Sequence, residues 1–232
     1  MLRPYPYKDG NDVLDARFLP GLSESEIQGI EAGLGAPLPV DYRQLLSQCS
    51  GIEGLLPEID FSGALFRSAF WTEFTQHGLA FAGDGCGNFW CVDCLSKQEE
   101  RAQLHYWSHD PPIMLYQCDG MDIYLKELIR MSQPPNESLI GDVSDDRLFD
   151  VWGKNPVERA QELTDPVLLE FKAQLGEGWI IVDMRHPQPG FGFSWGRSDP
   201  QTDLKRFGEE RIFAYYRPPK KPSIFDRLFG RK

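Results

Sequence analysis

The sequence predicts an α+β fold: an antiparallel sheet meander flanked by helices, with a smaller C-terminal α+β unit. Three observations lead there. Helical periodicity is confined to residues 23–51, to the stretch after Asp119 and to a run after Asp165. Between and after these lie short aromatic or apolar runs cut by glycine and proline, the pattern of strands joined by turns. With 232 residues, 41% hydrophobic and 25% charged, the chain is long enough to bury a core as one large domain or two smaller ones.

The first element is "LSESEIQGIEAGLG". Ser23 caps it, Glu26 completes a capping box three residues on, and Leu22 can staple onto Ile27. Ile27, Ile30 and Leu34 form the apolar stripe, and Gly35 suits a left-handed stop. In "LPVDYRQLLSQCSG" Pro39 fits a first-turn position, and Tyr42, Leu45, Leu46 and Cys49 repeat at helical spacing. This second helix is expected to end at Gly51. "LLPEIDFSGALF", "HGLAFAG", "NFWCVD", "LHYWSH" and "PIMLYQ" then supply the strand runs, and "DGMDIYLKELIRM" closes them as a helix with Tyr124, Leu125, Leu128 and Ile129 on one face.

"SQPPNESLIGDVSDD", proline-rich and then polar and acidic, marks a boundary. Beyond it Asp165 and Pro166 open a helix that Gly176 stops, and "WIIVDMR", "FGFSWGR" and "RIFAYYR" are strand-like. The expected organisation is a domain over 1–131, a linker over 132–145, a small α+β unit over 146–217 and a basic amphipathic tail over 218–232. No internal repeat is evident.

Charge excludes one class of function. The chain carries −11, and its last fifteen residues hold five Lys/Arg and one Asp. That tail nets +4, so removing it from the chain's −11 leaves −15 on residues 1–217. A nucleic-acid binder needs a basic footprint, and this body is the opposite. Its acidity either attracts a basic protein surface or only keeps the protein soluble. The tail spaces Ile224, Phe225, Leu228 and Phe229 helically among Arg227, Arg231 and Lys232. It can dock on a membrane surface or a partner, or strap over the body's own acidic surface. The chain lacks the ~20 consecutive apolar residues of a membrane span and the apolar centre of a secretory signal near its start. Five cysteines cannot all pair within one chain, which points to reduced thiols and a cytoplasmic location.

"FAGDGCGNFWCVDC" carries three of those cysteines. Cys86, Cys91 and Cys94 space as C-x4-C-x2-C, but a closed zinc site wants four ligands, and no second knuckle follows. On a strand, Cys91 and Cys94 project to opposite faces, because three is an odd step in a period of two. His105 and His109 sit in an aromatic strand run, ~13 Å apart rather than on one helix turn. A redox pair belongs at a helix N-terminus, which Cys91–Cys94 lacks. Gly83, Gly85 and Gly87 match no phosphate-binding spacing. The stretch therefore fits a β-hairpin with a glycine turn. No G-x-S-x-G elbow, H-E-x-x-H pair or distinct acid/base couple appears, so the expectation is no catalytic residue, no metal and no cofactor.

The order of these features resembles the SUKH superfamily. Residues 22–51 are similar to its opening, a capped helix, an "LG…LP.DY" connection and a helix ending in glycine. The "LAFAGDGCGNFWCVDC" hairpin resembles its central strand–turn–strand piece, and the helix after Asp119 its closing helix. The resemblance covers about residues 20–131; "PEIDFSGALFRSAFWTEFTQHG" and everything from Asp142 onward lie outside it. It implies a binding module. Bacterial members are commonly immunity proteins that neutralise a cognate secreted toxin by direct contact; some relatives are regulatory scaffolds. The expected function is therefore an immunity protein whose partner is a toxin with a basic surface, without nucleic acid or integral membrane association. A regulatory or scaffold module is the alternative, and a cysteine- or zinc-dependent enzyme a third. The expected contact residues are loop acids that core packing does not explain: Glu53, Glu58, Asp60, Asp84 and Asp119.

Overall fold

The computed structural model describes residues 5–6, 13–14, 16–55, 57–66, 77–95, 100–154, 164–195 and 204–217. The expected tail, 218–232, lies outside them, as do residues 67–76 of the segment without a family counterpart. In chain order the elements are β1 (Tyr5–Pro6), β2 (Val13–Leu14), β3 (Arg17–Pro20), α1 (Glu24–Leu34), α2 (Val40–Gln48), β4 (Cys49–Glu53), β5 (Glu58–Asp60), β6 (Gly78–Gly83), β7 (Phe89–Asp93), β8 (Gln103–His109), β9 (Pro112–Asp119) and α3 (Met121–Met131). Then come α4 (Leu139–Gly141), a π-helical turn (Asp142–Arg147), α5 (Leu148–Lys154), α6 (Pro166–Gln174), β10 (Trp179–Asp183), β11 (Gly192–Ser194), β12 (Leu204–Arg206) and β13 (Ile212–Tyr216). The fold is α+β, as expected.

α1 begins and ends as its sequence dictates. The Glu26 N–H donates to the Ser23 hydroxyl and the Ser23 N–H to the Glu26 carboxylate, 3.4 and 2.8 Å, while Gly35 closes the helix at φ 67°. The "LP.DY" connection has a mechanical role. Asp41 accepts the N–H groups of Ala102 (2.7 Å) and Met121 (3.0 Å), tying the start of α2 to the starts of β8 and α3. Tyr42, fully buried, donates its hydroxyl to the Phe61 carbonyl at 2.7 Å.

The second helix departs from expectation at its end. It stops at Gln48, and Cys49–Glu53 runs on as β4 instead of helix up to Gly51. The glycine serves strand pairing: a Cβ at Gly51 would lie 2.7 Å from the Ile59 carbonyl of the neighbouring strand.

Eight strands form one antiparallel sheet in the order β11-β9-β8-β7-β6-β5-β4-β3. From β3 to β9 this is a meander, with each strand beside its chain neighbour. One face packs on α1, α2 and α3 through Ile27, Tyr42, Leu46, Phe81, Leu104 and Tyr124. The other face meets a three-stranded sheet, β10-β13-β12. There Met114 and Tyr116 of β9 pack with Val182, Phe193, Phe213 and Tyr215. β13 alternates: Phe213 and Tyr215 point to the large sheet, while Ile212 and Ala214 pack under Leu168 and Phe171 of α6. This two-sided burial explains the uninterrupted apolar run in "RIFAYY".

Several described residues after α3 pack on the large sheet. Ile140 and Val143, within the stretch expected as a linker, lie in the main core with Leu148 and Val151 of α5. β11, within the expected C-terminal unit, is the large sheet's edge strand, pairing Phe193 with Met114.

Candidate protein-binding surface

The five sequence-predicted acids fall at different places on the sheet. Glu58 pairs across to Gly83, and Gly83 to Phe89, so Glu58 sits at the sheet end that carries the 84–88 turn. It is exposed, and its carboxylate forms no bond with the described residues. Glu53, on the neighbouring strand, is exposed and ion-paired with Arg17.

Asp84 builds the hairpin turn. Its carboxylate accepts the N–H of Cys86 (2.8 Å), the N–H of Asn88 (3.1 Å) and the Asn88 side-chain amide (2.7 Å). The Tyr106 hydroxyl lies 3.3 Å away on the same carboxylate. Gly85 and Gly87 take φ of 77° and 91°, which is why glycine recurs there. Asp60 does the same for its own loop, accepting from the Ser62 N–H (2.9 Å), the Ser62 hydroxyl (2.6 Å) and the Leu65 N–H (2.7 Å).

Asp119 lies at the opposite end, in the row Asp93–Gln103–Asp119. Its carboxylate approaches the buried Arg211 guanidinium at 4.0 Å. The structure therefore brings together Glu53, Glu58 and Asp84 at one end and separates Asp119 from them.

Between the two sheets lies a charged interior that no local pattern in the sequence announces. Asp93 and Arg206 meet there in two parallel hydrogen bonds, with side chains 8% and 11% exposed. Burial raises the Asp93 pKa, but the charge and hydrogen bonds of Arg206 outweigh it and hold the carboxyl below its usual range. His105 faces the same space. Burial, only partly opposed by Asp93, lowers its pKa to about 4, so the imidazole is neutral at neutral pH. Cys91, Asp93, His105, Trp107 and Arg206 help line a cavity of about 20 Å³, the size of one water.

Four of the five thiols are packing groups. Cys49, Cys91, Cys94 and Cys118 are buried and Cys86 is exposed. Burial pushes the Cys91 thiol well up; burial and then the Asp93 charge push up Cys94; burial lifts Cys118 to about 12. Cys91 packs with Phe66 and Ala80, Cys94 with the helix-side core, so the two face opposite ways. Among the described residues no group of three or more His, Cys, Asp or Glu side chains is arranged to hold a metal ion.

The capped α1, the Asp41 tie and the Asp84 hairpin occur in one order on one sheet. Residues 21–127 match the SMI1 / KNR4 family (SUKH-1). The expected SUKH resemblance thus holds over a SUKH-1 segment running from just before α1 into α3. Comparison with curated proteins and with solved structures gives no match. The π-helical turn, α5, α6 and the three-stranded sheet all lie beyond the SUKH-1 segment in the chain. No helix among the described residues is long and apolar enough to cross a membrane.

Proposed function

We propose that this chain is a cytoplasmic immunity protein that binds a cognate bacterial toxin domain and blocks it by direct contact, without cofactor or chemistry. The SUKH-1 match carries this proposal, because the superfamily includes immunity proteins. The −15 on residues 1–217 supports it, since an acidic body draws in a basic toxin surface. Glu53 and Glu58, both exposed, are the contact acids at the turn end of the sheet. Asp60 and Asp84 each shape their own loop, and Asp119 marks a second, separate acidic position.

The test is co-expression with any toxin domain encoded beside this chain, scored by survival of the host and by co-purification of a stoichiometric complex. Protection together with a complex supports immunity. A complex without protection would favour a regulatory scaffold, and absence of both would remove the proposal.

A further inference from the structure

The interface between the two sheets segregates its charges. Asp93 on β7, His105 on β8 and Asp119 at the end of β9 belong to the SUKH-1 segment, whereas Arg206 ends β12 and Arg211 immediately precedes β13. The family segment thus supplies both carboxylates and the small sheet both cations. Asp93 and Arg206 are hydrogen-bonded to each other. Arg211, 5% exposed, is less well matched. Its Nη1 lies 4.0 Å from Asp119 Oδ1, beyond hydrogen-bond reach, and neither atom has a hydrogen-bond partner among the described residues.

His105 is buried among these groups, and its Nδ1 has no hydrogen-bond partner among the described residues. The charged groups facing it are Asp93 from β7, Arg206 from β12 and Arg211 from the start of β13. Tyr116 of β9 stands with its ring centroid 6.0 Å from the imidazole, and the Cys91 thiol of β7 lines the same cavity. Burial pushes both of these groups up, so both stay neutral. With His105 neutral, two carboxylates balance two guanidinium groups. A proton on His105 adds a third buried cation to the same two carboxylates.

Each side of the interface has a core of its own. Among the described residues, the helix-side core of the large sheet contains nothing beyond Val151. The small sheet buries Ile181, Ile212 and Ala214 under Leu168 and Phe171 of α6. Only the layer of Met114, Tyr116, Val182, Phe213 and their neighbours, with the charged cluster beside it, lies between the two sheets. Parting along that layer leaves both other cores intact.

We propose that the sheet–sheet interface is an acid-sensitive latch: protonation of His105 lifts the three-stranded sheet from the SUKH-1 segment before either part unfolds. Opening returns the imidazole to water and uncovers Trp107, Met114 and Tyr116, an aromatic surface that stays closed at neutral pH. Arg206 holds the Asp93 carboxyl below its usual range, so in mild acid the charge that changes beside Arg206 is that of His105. The latch does not depend on the chain being an immunity protein.

Cys91 is a built-in reporter, because it lines the cavity between the sheets while Cys49, Cys94 and Cys118 lie in the helix-side core. The full chain carrying Cys86→Ser is treated with a dipyridyl disulfide, which stays reactive in acid, and the labelled positions are read by peptide mass. Each rate is divided by that of free glutathione at the same pH. His105 has an ordinary value of 6.5 and a folded value of about 4. Opening, and with it Cys91 labelling, should therefore grow about 20-fold between about pH 7 and pH 5, while Cys49, Cys94 and Cys118 stay protected. His105→Gln, neutral at every pH, should abolish the rise. A Cys91 rate that stays flat, labelling of all four buried thiols together, or a rise that persists in His105→Gln would overturn the latch. The first two outcomes need no change at His105, so the test stands even where glutamine is not tolerated there.

Discussion

The Arg206 guanidinium grips the Asp93 carboxylate with both arms, each at 2.8 Å, joining residues 113 apart in the chain. Asp93 ends β7 in the SUKH-1 segment, and Arg206 ends β12 in the small sheet. The pair is therefore a polar fastening between the family segment and the three-stranded sheet.

Removing one partner leaves the other charge buried and unpaired. Arg206→Ala or Asp93→Ala should each lower unfolding stability by about 3–5 kcal/mol, read from urea midpoints. The double change to leucine should lose clearly less than the two single changes added together. The Asp93 carboxyl is depressed in the folded state, so its stabilisation is present above the unfolded carboxyl value and lost as pH falls through the folded one. A strictly additive double variant would show that the pair is not coupled.

His105 adds a second pH dependence of known sign. The groups facing it are Asp93, which favours its charged form, and Arg206 and Arg211, which oppose it. Its folded pKa of about 4 lies below the ordinary 6.5, so between these values the unfolded state takes up a proton that the folded state refuses. Stability should fall as pH drops from 6.5 to 4, by roughly 3 kcal/mol from this group. His105→Gln should flatten that part of the curve while leaving the carboxylate titration below it. Parallel pH profiles for the two proteins would rule out the buried neutral imidazole.

Asp41 is a second half-buried acid in the SUKH-1 segment whose loss should be felt. Asp41→Ala strips acceptors from the Ala102 and Met121 N–H groups, and charge-assisted bonds of this kind are worth about 1.5–3 kcal/mol each. A stability loss of about 3 kcal/mol is expected, with faster amide exchange at those two positions. Unchanged exchange at both would show that the tie is dispensable.

Much of this was readable in the sequence wherever the cause was local. The Ser23–Glu26 box, the Gly85/Gly87 turn and the opposite facing of Cys91 and Cys94 all follow from spacings of a few residues. Arg206 was not readable, because "DLKRFG" carries no sign that its partner lies on β7. Leu139, Ile140 and Val143 are three apolar residues in a polar, acidic stretch, too few to reveal a period, yet tertiary packing buries Ile140 and Val143 and seats Leu139 against the same core. For the acids, residue type marked Asp60 and Asp84 as candidates for contact; only geometry shows their carboxylates turned onto their own loops.

Thiol reactivity checks the packing role of the cysteines. In the native protein a disulfide-exchange reagent should titrate Cys86 quickly and the other four only on unfolding, given which are buried. Cys86→Ala should leave stability and any toxin protection intact. Rapid native reaction of Cys91 or Cys94 would mean that the sheet opens there.

The last expectation separates steering from contact. If an acidic body guides a basic toxin domain, the association rate should fall as salt rises, while dissociation changes little. Glu58 stands exposed without a bonding partner among the described residues, and Glu53 is ion-paired with an exposed Arg17. Glu53→Gln with Glu58→Gln should therefore slow association several-fold and weaken its salt dependence, since rim charges act mainly on encounter. Asp84→Asn should behave differently. It disturbs the turn that the carboxylate organises through Cys86 and Asn88, so any loss should appear as altered stability or faster dissociation, not as altered salt dependence. An association rate insensitive to salt would remove the acidic surface from the mechanism while leaving shape complementarity in place.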